Sequence, residues 1–201
     1  MSLSVIDKFL LNLNGTFFVI DCVFMTRNQM TKYSKRSGTI NLGSKRLLDF
    51  FISNLDKIYC AKKHMVDRFP EIAGEAHFKD LNYAIMETVD DVKKQIERMN
   101  RIYEQLGAEN KATGCQGLAG MIEEAFTAIG EQRDDAALRD MAILFYLQNM
   151  ESIEVASFQV LQILAKKIKN AEITQLLKEN LDESKDDRKL LLEITARYTS
   201  S

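Results

Sequence analysis

The sequence predicts an all-α protein: an antiparallel bundle of four long helices, with one shorter helix packed outside it. Three observations predict this. Turn-forming residues are scarce, with one Pro and nine Gly in 201 residues, too few breaks for an all-β chain. Four long stretches carry apolar residues that step by three and four, which places them on one face of a helix. The connection Lys169-Asn170 is so short that the last two helices must run antiparallel. Composition agrees: hydrophobic residues are 46% and charged residues 28%, a globular balance of ordinary domain size. Leu, Ile, Met, Lys, Glu and Ala dominate, and all favour or tolerate helix.

The domain is expected over residues 44–201, with residues 1–43 as an N-terminal extension and basic linker outside it. Residues 1–24 are apolar but broken by Asp7, Lys8, Asn12, Asn14 and Asp21, which excludes a transmembrane span. They also lack the basic start and small-residue cleavage site of a secretory signal. Asn14-Gly15 between apolar runs predicts a hairpin turn joining 9–13 to 16–20. Met25 and Met30 stand as alternative starts of the chain. From Arg27 to Arg46 there are six basic residues and no acidic one. That run reads as a solvated arm in preference to a tail for phosphates or acidic partners.

In the first long helix Ser44 is the expected N-cap. Its seam is Leu48, Phe51, Leu55, Ile58, Lys62, Met65, Phe69, and Pro70 is expected to close it. Lys62 breaks this stripe deep in the helix, while His64 falls off it and is expected to be at least half-exposed. The second helix is expected from about His77 to Leu106, stopped by Gly107. Its seam runs from Phe78 through Leu81, Ile85, Val89, Val92, Ile96, Met99 and Tyr103 to Leu106, flanked by Thr88, Asp91 and Gln95. Asp90, Lys93 and Lys94 point elsewhere and are expected in water. A short amphipathic helix follows, from about Gln116 to Ile129, buried through Leu118, Met121, Ile122, Ala125, Phe126 and Ile129. The central helix, Ala137 to Ile168, carries Ile143, Leu147, Met150, Leu161, Leu164 and Ile168, and the same stepping lands on Glu154 and Ser157. Glu151 lies one turn before Glu154. The last helix, Glu172 to Tyr198, has Asn180, Ser184 and Asp187 as consecutive seam positions.

Each long helix therefore has polar residues on or beside its seam near mid-length, and in an antiparallel bundle these meet at one depth. A carboxylate on a buried stripe needs a cation, a metal or several donors. Carboxylates projecting from facing helices are how four-helix bundles hold two metal ions. The competing reading is a buried polar layer that fixes helix register. With only two histidines, His64 and His77, a His-rich metal centre is disfavoured. A net charge of −2 excludes general nucleic-acid binding. No phosphate loop, Ser-His-Asp pattern or zinc spacing is present. Cys22, Cys60 and Cys115 are far apart, odd in number and without a C-x-x-C, so they read as free thiols in a reducing, cytoplasmic compartment.

From about Leu47 to Arg197 the sequence resembles the ferritin-like proteins of the YciE/YciF type. The resemblance rests on the Gln95-Ile96-Glu97-Arg98-Met99 run and on 115–124, CQGLAGMIEE, similar to the family's C-x-A-M-x-G-L-I-x-E. It continues in Leu138-Arg139-Asp140, in 151–158, ESIEVASF, similar to E-H-Y-E-I-A-x-Y, and in 176–183, LLKENLDE. The resemblance implies a ferritin-like bundle with a short extra helix, often dimeric and stress-associated. The departures matter as much. Lys62 stands where the family's Y-x-A-E has its glutamate, Thr88 stands where H-L-E-E-T-x-x-Q has its histidine, and last-helix acids are replaced by Ser184 and Arg188. A full di-iron site wants about four carboxylates and two histidines.

The expectation is thus a degenerate, non-catalytic bundle with no cofactor. The vestigial site comprises Lys62, Asp91, Gln95, Glu151, Glu154 and Asp187. Lys62 is expected to face inward within salt-bridge reach of Glu154, or failing that of Glu151 or Asp91. One lysine cannot neutralise all the acids, so one of them is expected to be protonated or to reach water. The alternative is a ferritin-like protein still holding iron or manganese. A homodimer is expected, because Leu144, Phe145, Tyr146 and Phe158 make the central helix apolar nearly all round.

Overall fold

The chain divides into two units, Met1–Asn41 and Leu42–Ser201. A computed structural model describes residues 43–200 except residue 112. The expected hairpin at Asn14-Gly15, the linker, the alternative starts and most of the basic arm lie outside the described residues. Of that arm, Lys45 and Arg46 are described, and both are exposed.

The described residues form five helices: α1 (Ser44–Glu75), α2 (Lys79–Leu106), α3 (Gln116–Glu131), α4 (Ala136–Ile168) and α5 (Ala171–Thr199). The four long ones form a ring in the order α1, α2, α5, α4, and α3 packs outside against α4 and α1. No strand occurs among the described residues.

Neighbours in the ring run antiparallel, as the two apolar clusters show. One cluster joins the C-terminal half of α1 (Met65, Phe69, Ile72) to the start of α2 (Leu81, Ile85), the start of α4 (Ile143, Leu147) and the end of α5 (Leu191, Ile194). The other joins the opposite ends: Phe51, Leu55 and Ile58 with Met99 and Ile102, Phe158 and Leu161, and Ile173 and Leu177. Ile122, Ala125 and Ile129 of α3 belong to the first cluster.

Helix ends correct the sequence reading in several places. Gly43, at φ 69°, occupies the N-cap position of α1 instead of Ser44, and it offers no side-chain cap. Pro70 does not close α1, which continues to Glu75 with the proline inside it. An interior proline costs about 3 kcal/mol against alanine. Beyond it Ile72 and Ala73 are buried in the core, and burying one such aliphatic side chain contributes about 1.5–3 kcal/mol. The two magnitudes are comparable, so packing carries the helix past its breaker. Asn82 Nδ2 then donates to the Ala73 carbonyl at 2.6 Å, satisfying the helix end. The second helix begins at Lys79, not His77, because Asp140 takes the amides of His77 at 2.9 Å and Phe78 at 2.7 Å. Gly107, at φ 59°, ends it as expected. The α3 helix extends two residues further than expected, to Glu131.

Candidate functional site

Between the two apolar clusters lies a polar layer. Lys62 from α1, Thr88 and Gln95 from α2, Glu151 and Glu154 from α4, and Asn180, Ser184 and Asp187 from α5 are all buried. Lys62 is 0% exposed and Glu154 is 1% exposed. Each stands on the inward stripe of its helix, so burying the flanking aliphatic residues buries the charge as well.

Lys62 Nζ lies 2.5 Å from Glu154 Oε2, which is the contact the two stripes predicted. It also donates to Gln95 Oε1 and sits 5.3 Å from the centroid of the Phe158 ring, within cation–π range. Ser184 Oγ donates to Glu154 Oε2 at 3.3 Å, and Asn180 Nδ2 donates to the Gln95 carbonyl at 3.3 Å. The ammonium is thus met by a carboxylate, an amide oxygen and an aromatic face.

Among the described residues, four buried side-chain polar atoms make no hydrogen bond: Gln95 Nε2, Glu151 Oε2, Glu154 Oε1 and Asp187 Oδ2. Burial pushes the Glu151 carboxyl well above the ordinary glutamate range, and the neighbouring Glu154 and Asp187 push it further. Burial likewise raises Asp187 to about 7, with Asp91 adding to the shift. Burial thus favours the neutral form of Glu151 and of Asp187, and leaves Glu154 as the ion-pair partner of Lys62. Proton uptake, and not charge pairing alone, makes three acids around one lysine tolerable.

Two expected members fall outside the layer. Asp91 lies at its rim, 21% exposed and 2.6 Å from Lys94. Ser157 is only half-buried and donates to the Ile153 carbonyl of its own helix at 2.7 Å. The stepping that placed Ser157 on the seam fails there because Phe158, fully buried, takes the inward position. His64 is half-exposed and His77 exposed. Among the described residues no group of three or more His, Cys, Asp or Glu is placed to hold a metal ion.

Sequence reasoning missed three anchors. Asp140 is buried and clamps the α1–α2 turn to α4; it lies three residues before Ile143 on the α4 seam, and that stepping was the available signal. Asp56 is buried and accepts from Tyr103 Oη at 2.8 Å and from the Lys111 amide at 3.2 Å. Arg98 forks onto Glu183, with both nitrogens at 2.6 Å, and reaches Asn180 at 3.2 Å. The cysteines also correct the sequence reading: Cys60 and Cys115 are joined in a disulfide, 55 residues apart, with a Cα–Cα distance of 5.7 Å. Folding brings the loop before α3 onto α1, and that separation is within bridging range.

These features define a ferritin-like helical bundle with polar groups from all four long helices layered at mid-length. The chain belongs to the family described as Domain of unknown function (DUF892), whose model matches residues 46–200. Protein YciF of Escherichia coli strain K12 is 30% identical over 145 residues, covering 72% of this chain and 87% of that protein. The crystal structure of the E. coli stress protein YciF aligns with a TM-score of 0.73 at 27% identity, covering 77% of this chain and 98% of that one. YcfI of Rhodopseudomonas palustris, described as a candidate structural protein, aligns with a TM-score of 0.70 at 26% identity, covering 77% of this chain and 96% of that one.

Proposed function

We propose that this chain is a non-catalytic, structural member of its family, stress-associated and acting as a homodimer, in which a buried lysine–carboxylate layer stands in for a metal site. The observation that carries this reading is the ammonium of Lys62, fully buried and 2.5 Å from Glu154. A metal pair would bring roughly four positive charges to such a nest. Lys62 brings one, and burial favours the neutral form of Glu151, which lowers the negative charge left to balance. The descriptions of the relatives as a stress protein and a candidate structural protein support the role.

Elemental analysis after aerobic purification, with and without added Fe(II) or Mn(II), tests the reading. The expected outcome is no stoichiometric metal; one or two ions per chain would overturn it. Changing Lys62 to Glu alone is not expected to restore tight iron binding, because Thr88 still occupies the histidine position of the resembled pattern. One observation favours the alternative, a bundle still holding iron or manganese. Carboxylate oxygens of Glu151, Glu154 and Asp187 are buried without a hydrogen-bond partner, and buried oxygens of that kind are what a cation would satisfy.

The homodimer rests on α4. Leu138, Phe145, Ile153, Val160 and Ile163 share its outer face and are all exposed, Phe145 at 63% and Ile163 at 64%. Phe50 of α1 extends the face, and a groove of about 540 Å³ lies between Phe50, Ile153 and Val160. A continuous apolar stripe on an exposed helix face marks an interaction surface, and a second copy would bring the same stripe to it. No nucleic-acid or membrane partner is part of this reading. No helix among the described residues is long and apolar enough to cross a membrane. The compartment proposed is the cytoplasm, testable by fractionation of the native protein.

A further inference from the structure

We propose that Cys60 and Cys115 form a reversible dithiol–disulfide centre, reduced by dithiols and re-formed by hydroperoxides, with Cys115 as the sulfur that reacts with peroxide. The bridge joins the middle of α1 to the N-cap of α3. Both cysteines are half-buried, and the chain on either side of Cys115 (Thr113, Gly114, Gln116 and Gly117) is exposed. A small reagent therefore reaches the bridge from the loop side, at the edge of the groove that Cys115 shares with Ile153 and Val160 of α4.

Its place in the fold distinguishes Cys115. It is the N-cap of a 16-residue helix, and among the described residues no side-chain cap hydrogen bond is made at that end. The first-turn amides and the positive end of the helix are therefore available to a thiolate at that position, an environment that favours the thiolate. Lys57 is a neighbour of both cysteines: it lines the same groove as Cys115, its Cγ lies 3.5 Å from where a side chain on Gly114 would begin, and it stands three residues before Cys60 on α1. Cys60, in mid-helix, lacks the helix N-terminus.

The scaffold lets the bridge open without the fold opening. The loop before α3 is also held by Asp56, which accepts from the Lys111 amide and is itself fixed by the Tyr103 hydroxyl of α2. The α3 helix is held by Ile122, Ala125 and Ile129 in the core. After reduction these contacts keep the two thiols opposite each other. On reduction, a dithiol's thiolate attacks Cys60 Sγ, Cys115 leaves as thiolate, and the second thiol of the reductant resolves the mixed disulfide. The balance is two thiols gained by the protein and one disulfide gained by the reductant. In the reverse direction the Cys115 thiolate attacks a peroxide oxygen, the O–O bond breaks, and a sulfenic acid forms with release of water or alcohol. The Cys60 thiol then displaces water from it to restore the disulfide.

The test uses the full chain with Cys22→Ser, so that only these two cysteines remain. Dithiothreitol is applied without denaturant, the thiols are counted by maleimide mass labelling, and far-UV circular dichroism follows the fold. The expected result is a rise from no labelled thiol to two, with helix content unchanged, and a return to none after hydrogen peroxide with the monomer mass on a non-reducing gel. In the Cys22→Ser, Cys60→Ala chain, dimedone should trap a sulfenic acid on Cys115. The Cys22→Ser, Cys115→Ala chain should give much less adduct on Cys60. A bridge that resists dithiothreitol, loss of helix on reduction, failure to re-form, or preferential labelling of Cys60 would each overturn the proposal.

Discussion

Lys62 spans the bundle interior because both ends of its side chain are provided for: the stem lies between Ile58 and Met65 on the α1 stripe, and the ammonium meets Glu154 and Gln95. Removing one member of such a pair leaves the other charge stranded. Lys62→Met should therefore destabilise the fold by about 3–5 kcal/mol, read as a shift in the denaturant midpoint. Adding Glu154→Leu should recover most of that loss, because an apolar pair of similar volume replaces the charges. A midpoint unchanged in Lys62→Met would refute the pairing argument. Asp187 makes a separate, pH-dependent prediction. Its carboxyl is raised in the fold from 3.8 to about 7, so between these values the folded state holds a proton that the unfolded state has lost. The favourable contribution is complete below the lower value and is lost progressively as pH rises through the upper one. Asp187→Asn should consequently gain on wild type as pH is raised from about 4 to about 8, and Glu151→Gln should do the same. Thermal melts across that range read the difference, and parallel curves for variant and wild type would contradict it.

At the scale of helices, the ends show where local preference and packing compete. Pro70 is exposed and lies within α1, so its only visible effect is the lost backbone bond and the ring clash. Pro70→Ala should stabilise by about 1–3 kcal/mol, without altering the contacts of Ile72. The α4–α5 turn carries a second local conflict. Lys169 sits at φ 60°, the only non-glycine residue with positive φ among those described. A left-handed residue other than glycine costs about 1–2 kcal/mol, partly offset by the greater entropy that glycine loses on folding. Lys169→Gly should stabilise by about 0.5–1 kcal/mol, measurable by chemical denaturation. Asn170, which caps α5 by accepting from the Ile173 amide at 3.1 Å, stays in place in that variant.

At the scale of the whole molecule, α4 touches both of its bundle neighbours and α3, yet still presents an apolar outer stripe. Of the four residues that made it look apolar all round, Leu144 and Phe158 are buried inside the chain's own fold, whereas Phe145 points outward. The proposed dimer would cover that one stripe, and light scattering on the intact chain should then give twice the 23.0 kDa chain mass. Phe145→Ser combined with Ile163→Ser should shift the protein to monomer with its helix content retained, because neither side chain contributes to the core. A monomer mass for the unmodified chain would remove the dimer from the proposed function.

The number of helices, their approximate spans and the mid-length position of the polar residues were legible in the sequence, because the 3.6-residue period is a local property. That Lys62 and Glu154 share the inward stripe follows from the same stepping. Tertiary structure alone decided the rest. Asp91 and Ser157 fell away from the layer because small rotations of a helix, set by neighbours such as Phe158, determine which flank residue is inward. Protonation of Glu151 depends on burial and on charges from another helix, neither of which is encoded within a few residues of it. The continuation of α1 past Pro70 depends on a core that only the assembled bundle supplies. Cys60 and Cys115 meet because the loop before α3 folds back onto α1; spacing along the chain carries no record of a contact made across 55 residues.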